Sequence, residues 1–165
     1  MSVFDTFTLM YLLSFYIIKM YFIISTLNAN GLNNRDKQIE LINFMEYNRI
    51  DVLMIQEHNI RNENVICNEL KDKYIVDINL AVSLKGGTAI LIKRKSPIKV
   101  LTSEKSSDSR IISIRIKIYE ETLHLINIYA HAGNTKDREK LFNEDLMYYL
   151  RNNLQKTIIG VILTV

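Results

Sequence analysis

Strand-like runs of apolar residues stand at residues 21–27, 52–55 and 88–92. The run at residues 52–55 is short and continuously apolar, which is typical of a strand in a sheet that is covered on both faces. The Asn-Ala-Asn-Gly sequence at residues 28–31 closes the first run as a turn, and Gly86-Gly87 opens the third. We therefore predict three strands, of which residues 52–55 are buried on both faces.

The second half begins with a period of two. Four isoleucines alternate there with Ser113, Arg115 and Lys117, namely Ile112, Ile114, Ile116 and Ile118. This pattern predicts a half-buried antiparallel strand. Residues 122–129 are expected to pair with it across a turn at residues 119–121, and a last apolar segment follows at residues 157–165.

Helical spacing appears in three other places. A helix capped by Asn33 or Asn34 is expected to bury Ile39, Leu41, Ile42 and Met45. A shorter amphipathic stretch carries Val65, Ile66 and Leu70, and a long helix after Thr135 carries Leu141, Phe142, Leu146, Tyr149 and Leu150. Together the two periods predict an α/β fold, with helices outside a largely antiparallel or mixed sheet.

Composition adds limits but no specific function. The 165 residues are 48% hydrophobic and 24% charged, which is ordinary for a folded domain. One proline and five glycines leave no linker, so we predict no internal domain boundary. The net charge of +3 is a weak indication of a polyanionic partner. The single Cys67 excludes an internal disulfide and a cysteine-based metal site, and favours a reducing compartment.

The N-terminal residues 9–18 are almost purely apolar. A bilayer span needs about 20 such residues, and no basic segment precedes the run as it would in a signal peptide. Residues 21–24 are needed for the first predicted strand. We therefore predict an appendage at residues 1–19 and one domain at residues 20–165. Membrane association through residues 3–24 is the alternative.

Polar clusters stand where three of the predicted strands end: Asn28 and Asn30; Gln56, Glu57 and His58; Asn127, Tyr129 and His131. Such side chains are well placed to converge on one site. Glu57 is the strongest candidate, because a carboxylate suits a hard cation such as magnesium. Singly, each residue has a plain structural explanation, as a turn, a solvated carboxylate or a core tyrosine. The spacing of His58, His124 and His131 does not fit a zinc site, and no serine or cysteine nucleophile signature is present.

Taken together, however, and in their order along the chain, these segments resemble those of the endonuclease/exonuclease/phosphatase superfamily. The matching series is Ile24-Ser-Thr-Leu-Asn28-Ala-Asn-Gly-Leu32, Asp51-Val-Leu-Met-Ile-Gln-Glu57, Gly86-Gly-Thr-Ala-Ile-Leu91 and Asn127-Ile-Tyr129. Within the superfamily, the chain looks most like the endonuclease domain of non-LTR (LINE-type) retrotransposons. The resemblance extends over residues 20–160 and keeps both order and spacing.

This resemblance implies a four-layer α/β sandwich of the DNase-like type that hydrolyses DNA phosphodiesters with Mg²⁺. It implies that Asn28 lies near the scissile phosphate, that Glu57 ligates the metal, and that Tyr129 hydrogen-bonds the phosphate. DNA is the implied partner, a membrane is not, and the nucleus or cytoplasm is the implied location. A phosphatase of the same superfamily and a non-enzymatic DNA-binding remnant remain alternatives.

The chain also departs from the family pattern. Asn30 stands where repair relatives often have Asp, His131 where Pro is common, and Ala132 where some relatives have Asn. The family motif Gly-Asp-Phe-Asn is due at Gly160, but Val-Ile-Leu-Thr-Val follows instead, and no Ser-Asp-His motif is found. We therefore expect only the N-terminal part of the sandwich, without activity.

The apolar tail also has an explanation at the codon level. One coding of Gly-Asp-Phe-Asn-Cys, read one base later, gives Val-Ile-Leu-Thr-Val, which is residues 161–165. We expect a one-base shift in the gene or in its reading, although an ordinary final strand is the plain alternative because these residues have high β propensity.

Overall fold

Two β-sheets pack face to face in a computed structural model, which describes residues 13–17, 20–130, 135–151 and 156–163. Helices cover the outer face of each sheet, so the described chain has the layer order α/β/β/α. The four-layer sandwich implied by the sequence resemblance is therefore confirmed.

The first sheet has five strands in the order β1-β2-β3-β5-β4. Its strands are β1 (Leu13–Ile17), β2 (Met20–Asn28), β3 (Val52–Gln56), β4 (Tyr74–Asn79) and β5 (Thr88–Lys93). Strands β2 and β3 run parallel, with Asn28 beside Gln56, and the other neighbouring pairs are antiparallel. The C-terminal ends of β2 and β3 therefore lie at one edge of the sheet.

The second sheet has four strands in the order β6-β7-β8-β9. They are β6 (Ile98–Lys105), β7 (Ile111–Ile118), β8 (Glu121–Ala130) and β9 (Thr157–Leu163). Strands β6 to β8 form an antiparallel meander, whereas β9 runs parallel to β8 with Gly160 beside Asn127.

The first sheet is covered by α1 (Arg35–Tyr47) and the short α2 (Asn68–Lys73). Helix α1 begins where sequence predicts, because the Asn34 side chain accepts a hydrogen bond from the Asp36 N–H at 2.7 Å. The buried Gln38 fastens α1 to its surroundings: its amide donates to the carbonyls of Leu32 (2.8 Å) and Val65 (3.1 Å). Its side-chain oxygen accepts from the Cys67 N–H at 2.8 Å.

The second sheet is covered by one interrupted helical segment. It consists of α3 (Thr135–Lys140), a π-helical turn over Leu141–Asp145, and α4 (Leu146–Leu150). Leu141, Leu146 and Tyr149 pack against Ile126 and Ile128 of β8. The predicted long helix is thus present, but with a change of pitch at its centre that shifts the buried face.

Alternation along the strands divides the core into three layers. Ile112, Ile114, Ile116 and Ile118 all point into the space between the sheets, opposite Ile24, Met54, Ile90 and Ile92. The intervening residues of β2, β3 and β5 face α1 and α2 instead. This explains the continuous apolar runs in the first sheet, since its strands are buried on both faces.

Most predicted elements are confirmed, and three of the described strands were missed. Strands β1, β4 and β6 have no counterpart among the predicted elements, and the predicted stretch around Val65 and Leu70 is a 3₁₀ turn followed by α2. The described chain contains no helix long and apolar enough to cross a membrane. Residues 13–17 pair with β2, residues 1–12 lie outside the described part, and the proposed division at residue 20 stays a prediction.

Candidate functional site at the strand ends

The loop that follows β2 is attached to the loop that follows β3. Backbone hydrogen bonds run from Ala29 N–H to the Gln56 carbonyl (2.9 Å) and from Gly31 N–H to the Glu57 carbonyl (2.7 Å). A third runs from Leu32 N–H to the carbonyl of residue 58 at 2.8 Å. These bonds extend the parallel pairing of the strands beyond their ends. Two of the predicted site residues, Asn28 and Glu57, are thereby brought together.

Asn127 of β8 ties the second sheet to the same edge. Its amide donates to the carbonyls of Ile55 (2.7 Å) and Ala89 (2.9 Å), and its oxygen accepts from the Gln56 amide. The Gln56 amide also donates to the Thr26 hydroxyl at 2.8 Å. Hydrogen bonds between buried groups fix relative position more sharply than apolar packing does, although the Gln56 Oε1 has no partner in the described chain. The bridge therefore sets where β8 ends relative to β3.

Tyr129 lies two residues after Asn127 on β8, so the hydrogen bonds of Asn127 also fix the position of Tyr129 at this edge. Its backbone N–H donates to the Arg110 carbonyl at 2.8 Å, in the turn between β6 and β7. The side chain is buried, and a Cβ on Gly86 would lie 3.6 Å from its ring. The structure thus places all three predicted residues, Asn28, Glu57 and Tyr129, at one edge of the sandwich.

Glu57 has an unusual backbone conformation and an unusual environment. Its φ is 52°, in the left-handed region that non-glycine residues avoid at a cost of about 1–3 kcal/mol. The residue is only 9% exposed. Within the described chain its carboxylate has no hydrogen-bond or ion-pair partner. The carboxylate oxygens themselves are accessible to solvent, so this side chain could bind a hard cation that keeps part of its water shell.

Asn28 is oriented by a local turn. Its side-chain oxygen accepts a hydrogen bond from the Asn30 N–H at 3.0 Å. Asn30 is exposed and has a φ of 45°, which asparagine tolerates better than most residues. The bond engages the Asn28 oxygen, and the amide N–H groups are the part of this side chain that could donate to an anion.

His58, beside Glu57, is a buried neutral group. Its Nδ1 accepts from the Ile60 N–H at 2.9 Å, so the proton lies on Nε2, which donates to the Asn79 carbonyl at 3.1 Å. Burial lowers the pKa of His58 to about 4, against a backbone hydrogen bond with Asn79 that raises it. No pattern in the sequence predicts this role for His58.

The glycine pair before β5 is required by this packing. A Cβ on Gly87 would lie 2.4 Å from His58 Cε1, and the φ of Gly87 is 86°. Gly86, with φ 116°, donates its N–H to the Asn59 side chain at 2.8 Å. A side chain at position 87 would therefore collide with His58, whereas a Cβ at position 86 would make an ordinary contact with the Tyr129 ring.

No more extensive metal cluster is found in the part of the chain that the structure describes. No group of three or more His, Cys, Asp or Glu side chains there could hold a metal ion. His131 and Ala132 lie outside the described residues. Oxygen ligands for a cation at Glu57 would therefore include water, as magnesium commonly retains several waters.

Solved structures share this arrangement of layers. TDP2 of D. rerio, complexed with single-strand DNA product, superposes with a TM-score of 0.62 at 16% identity, over 85% of this chain and 58% of that chain. The 3′ phosphatase NExo from Neisseria, bound to product DNA hairpin, gives 0.63 at 16% identity, over 85% and 56%. Both are members of the endonuclease/exonuclease/phosphatase superfamily.

The chain has the DNase I-like fold of the endonuclease/exonuclease/phosphatase superfamily. A further structure with this DNase I-like fold, an AP endonuclease from Archaeoglobus fulgidus, has a TM-score of 0.55 at 26% identity, over 79% of this chain and 51% of that chain. No family model matches the sequence. The chain spans between 51% and 58% of the length of these three proteins.

Proposed function

We propose that the chain is the N-terminal part of a magnesium-dependent nuclease domain that acts on DNA, of the kind found in non-LTR retrotransposons. The observation that carries the proposal is Glu57, a mostly buried residue whose carboxylate is accessible and has no partner in the described chain, at the edge shared by Asn28 and Tyr129. The DNA bound in the TDP2 and NExo structures supports the same class of substrate.

In this proposal, Glu57 would hold the magnesium ion, which supplies Lewis-acid polarisation of a phosphoryl oxygen when bound. Asn28 and Tyr129 act on the phosphate itself. The Asn28 amide and the Tyr129 hydroxyl donate hydrogen bonds to its oxygens, which orients the group and stabilises negative charge. The Asn127 bridge and the His58–Gly87 contact keep these donors at fixed separation from Glu57.

We further propose that these 165 residues do not hydrolyse DNA by themselves. The resemblance assigns an Asp and an Asn that orient the attacking water, and a His of a Ser-Asp-His motif, to segments that have no match in this sequence. Loss of such groups typically lowers rates by orders of magnitude. Phosphatase action is the second candidate, because NExo is described as a 3′ phosphatase. A DNA-binding remnant without catalysis is the third.

Cation binding tests the central residue without requiring catalysis. Mn²⁺ is titrated into the chain, and the free ion is measured by electron paramagnetic resonance. We expect Glu57→Gln to weaken binding at least about tenfold, since one charge-bearing ligand is lost. The matched control is Glu63→Gln, an exposed glutamate in the 3₁₀ turn, which should bind as the parent does. Equal binding by the parent and Glu57→Gln would contradict the metal assignment.

Nicking of supercoiled plasmid in Mg²⁺ tests the proposed lack of activity. The purified chain is expected to nick no more plasmid than a mock preparation. Nicking that is abolished by Glu57→Ala would show a working site within these residues and would refute this part of the proposal.

A further inference from the structure

The end of the sandwich opposite the candidate site carries a run of cations. Strand β3 and its flanking residues extend from Asp51 at this end to Glu57 at the site, about 20 Å away at about 3.3 Å per residue. Strand β5 is antiparallel to β3, so Lys93 ends β5 here, and its N–H donates to the Asp51 carbonyl at 2.9 Å. Arg94 and Lys95 follow in the turn that leads to β6.

Further cations lie on both sides of that turn. On one side, the Arg94 guanidinium donates to the Lys71 carbonyl near the end of α2, at 2.7 Å. On the other side, Lys99 of β6 is level with Lys117 of β7. The neighbours of these two lysines in both strands point into the core, so the lysines stand on the outer face of the second sheet. We call the set of Lys71, Arg94, Lys95 and Lys99 the basic ridge.

The protein leaves the charge of the basic ridge unneutralised. All four residues are exposed, and none of them forms a salt bridge within the described residues. Two nearby carboxylates are already occupied, Glu46 by Lys73 at 2.6 Å and Glu120 by Lys117 at 3.2 Å. Asp72, which is exposed on α2, adds one opposing charge. The excess of positive charge attracts a polyanion.

The end of α1 adds an aromatic ring and another cation beside the ridge. Tyr47, the last residue of α1, is 88% exposed. Arg49 is exposed with a φ of 55°, the left-handed position after a helix that glycine or asparagine usually fills. Lys73 connects this corner to the ridge, since its ammonium pairs with Glu46 and its carbonyl accepts from the Arg94 N–H at 2.9 Å.

The course of the basic ridge favours a single strand over a duplex. It passes from α2 over the end of the first sheet to the outer face of the second sheet, which is about 20 Å for layers about 10 Å apart. A duplex is stiff over this length and keeps its base faces stacked inside. A single strand can follow the ridge and offer a base face to an exposed tyrosine.

We propose that the basic ridge and Tyr47 form a second nucleic-acid surface, which binds a single-stranded polynucleotide at the end of the sandwich remote from Glu57. The cations contact its phosphates, and the Tyr47 ring stacks on one base. This surface does not depend on Glu57 or on a metal ion. Phosphates and base faces are common to RNA and DNA, so both strands are candidates and binding has little sequence preference.

Fluorescence anisotropy of labelled oligo-dT and oligo-rU, without divalent cations and at a series of salt concentrations, tests the ridge. The double variant Lys95→Gln/Lys99→Gln should bind about tenfold more weakly in low salt. The slope of log affinity against log salt should fall by about 1.4, since each phosphate contact to a single strand contributes about 0.7. The matched control, Arg61→Gln/Lys85→Gln, removes the same charge from two exposed residues near the candidate site and should bind as the parent does.

Tyr47→Leu tests the stacking separately from the charge. It should weaken binding about tenfold at every salt concentration and leave the salt slope unchanged, because it removes a stacked base but no phosphate contact. Tyr148→Leu is the control, since Tyr148 is a 64% exposed tyrosine on α4, outside the ridge.

Several outcomes would overturn the proposal. Parent-like affinity and slope in the double variant of the ridge would do so, and so would an equal loss in the control double variant, because the strand would then lie at the candidate site. A parent that is folded in thermal melts but binds neither strand in low salt would also refute it, whatever the cation titration of Glu57 shows. Binding to phosphatidylserine vesicles that needs Lys95 and Lys99, without binding to either strand, would assign the ridge to a lipid surface. A preference for rU or dT, with both expected losses, supports the surface and identifies its strand.

Discussion

The buried His58 should make the fold acid-sensitive in a defined pH range. In the unfolded chain a histidine titrates near 6.5, whereas burial lowers the pKa of His58 in the folded chain to about 4. Between these values the unfolded state binds a proton that the folded state does not. Stability therefore falls as the pH decreases from about 6.5 to about 4. Above pH 6.5 the stabilisation that comes from keeping His58 neutral is fully present.

The size of the effect follows from the same two values. A difference between 6.5 and about 4 corresponds to about 3 kcal/mol at most, at about 1.4 kcal/mol for each unit. That is a substantial part of the stability of a small domain, which is typically about 5–15 kcal/mol. The cause is structural: a proton on Nδ1 would break the bond from the Ile60 N–H inside the fold.

Urea denaturation at a series of pH values measures this contribution. The free energy of unfolding of the parent is compared with that of His58→Gln, which removes the titration and keeps an amide that could donate to the Asn79 carbonyl. We expect the difference between the two proteins to change by about 2–3 kcal/mol between pH 7 and pH 4.

His124→Gln is the companion variant, since burial, with a smaller contribution from Arg115, also lowers the pKa of His124. It should retain the acid sensitivity that depends on His58. A His58→Gln protein whose stability falls with the parent's slope would refute the reasoning, because the titrating group would then lie elsewhere.

Two further substitutions probe the packing around the site. Gly87→Ala should lower the free energy of unfolding by about 3 kcal/mol or more in thermal or urea unfolding, because its Cβ would strike the His58 ring. Gly86→Ala should lower it by only about 1 kcal/mol, which comes from its positive φ alone. Equal losses in the two variants would contradict this explanation. Asn127→Ala should lose about 3 kcal/mol, since the Ile55 and Ala89 carbonyls lose their donor inside the fold. The exposed Asn43→Ala is its control, and a similar small loss in both would show that the bridge is not structural.

The elements that the sequence predicted are those in which buried residues follow a regular pattern along the chain. The isoleucines of β7 alternate because one face of the strand meets the other sheet, and β2, β3 and β5 are mostly apolar because both faces are covered. The missed strands, β1, β4 and β6, are edge strands of their sheets. Most of β6 is exposed, so selection for an apolar face is weak there and no clear period develops.

The candidate site, like the fold, has features that the sequence predicts and features that it does not. Asn28, Glu57 and Tyr129 stand at strand ends, where the sequence predicted polar clusters, and the family resemblance singled out these three; their roles stay a prediction. The left-handed backbone of Glu57, the bridge from Asn127 to Gln56 and the contact of Gly87 with His58 could not be predicted. Each depends on the separation of segments far apart in sequence, which no local pattern records.

Strand β9 shows how closely both sheets constrain this edge. A Cβ on Gly160 would lie 2.8 Å from Met54 Cε and 3.3 Å from the Thr26 hydroxyl, so the glycine permits β9 to approach the first sheet. The next position, Val161, is level with Ile128 and packs against the helical layer behind the second sheet. Strand β9 thus runs parallel to β8 toward the edge that holds Tyr129. Within it the two neighbouring positions face opposite ways: Gly160 gives Met54 and Thr26 the space between the sheets, and Val161 adds to the apolar packing behind the second sheet.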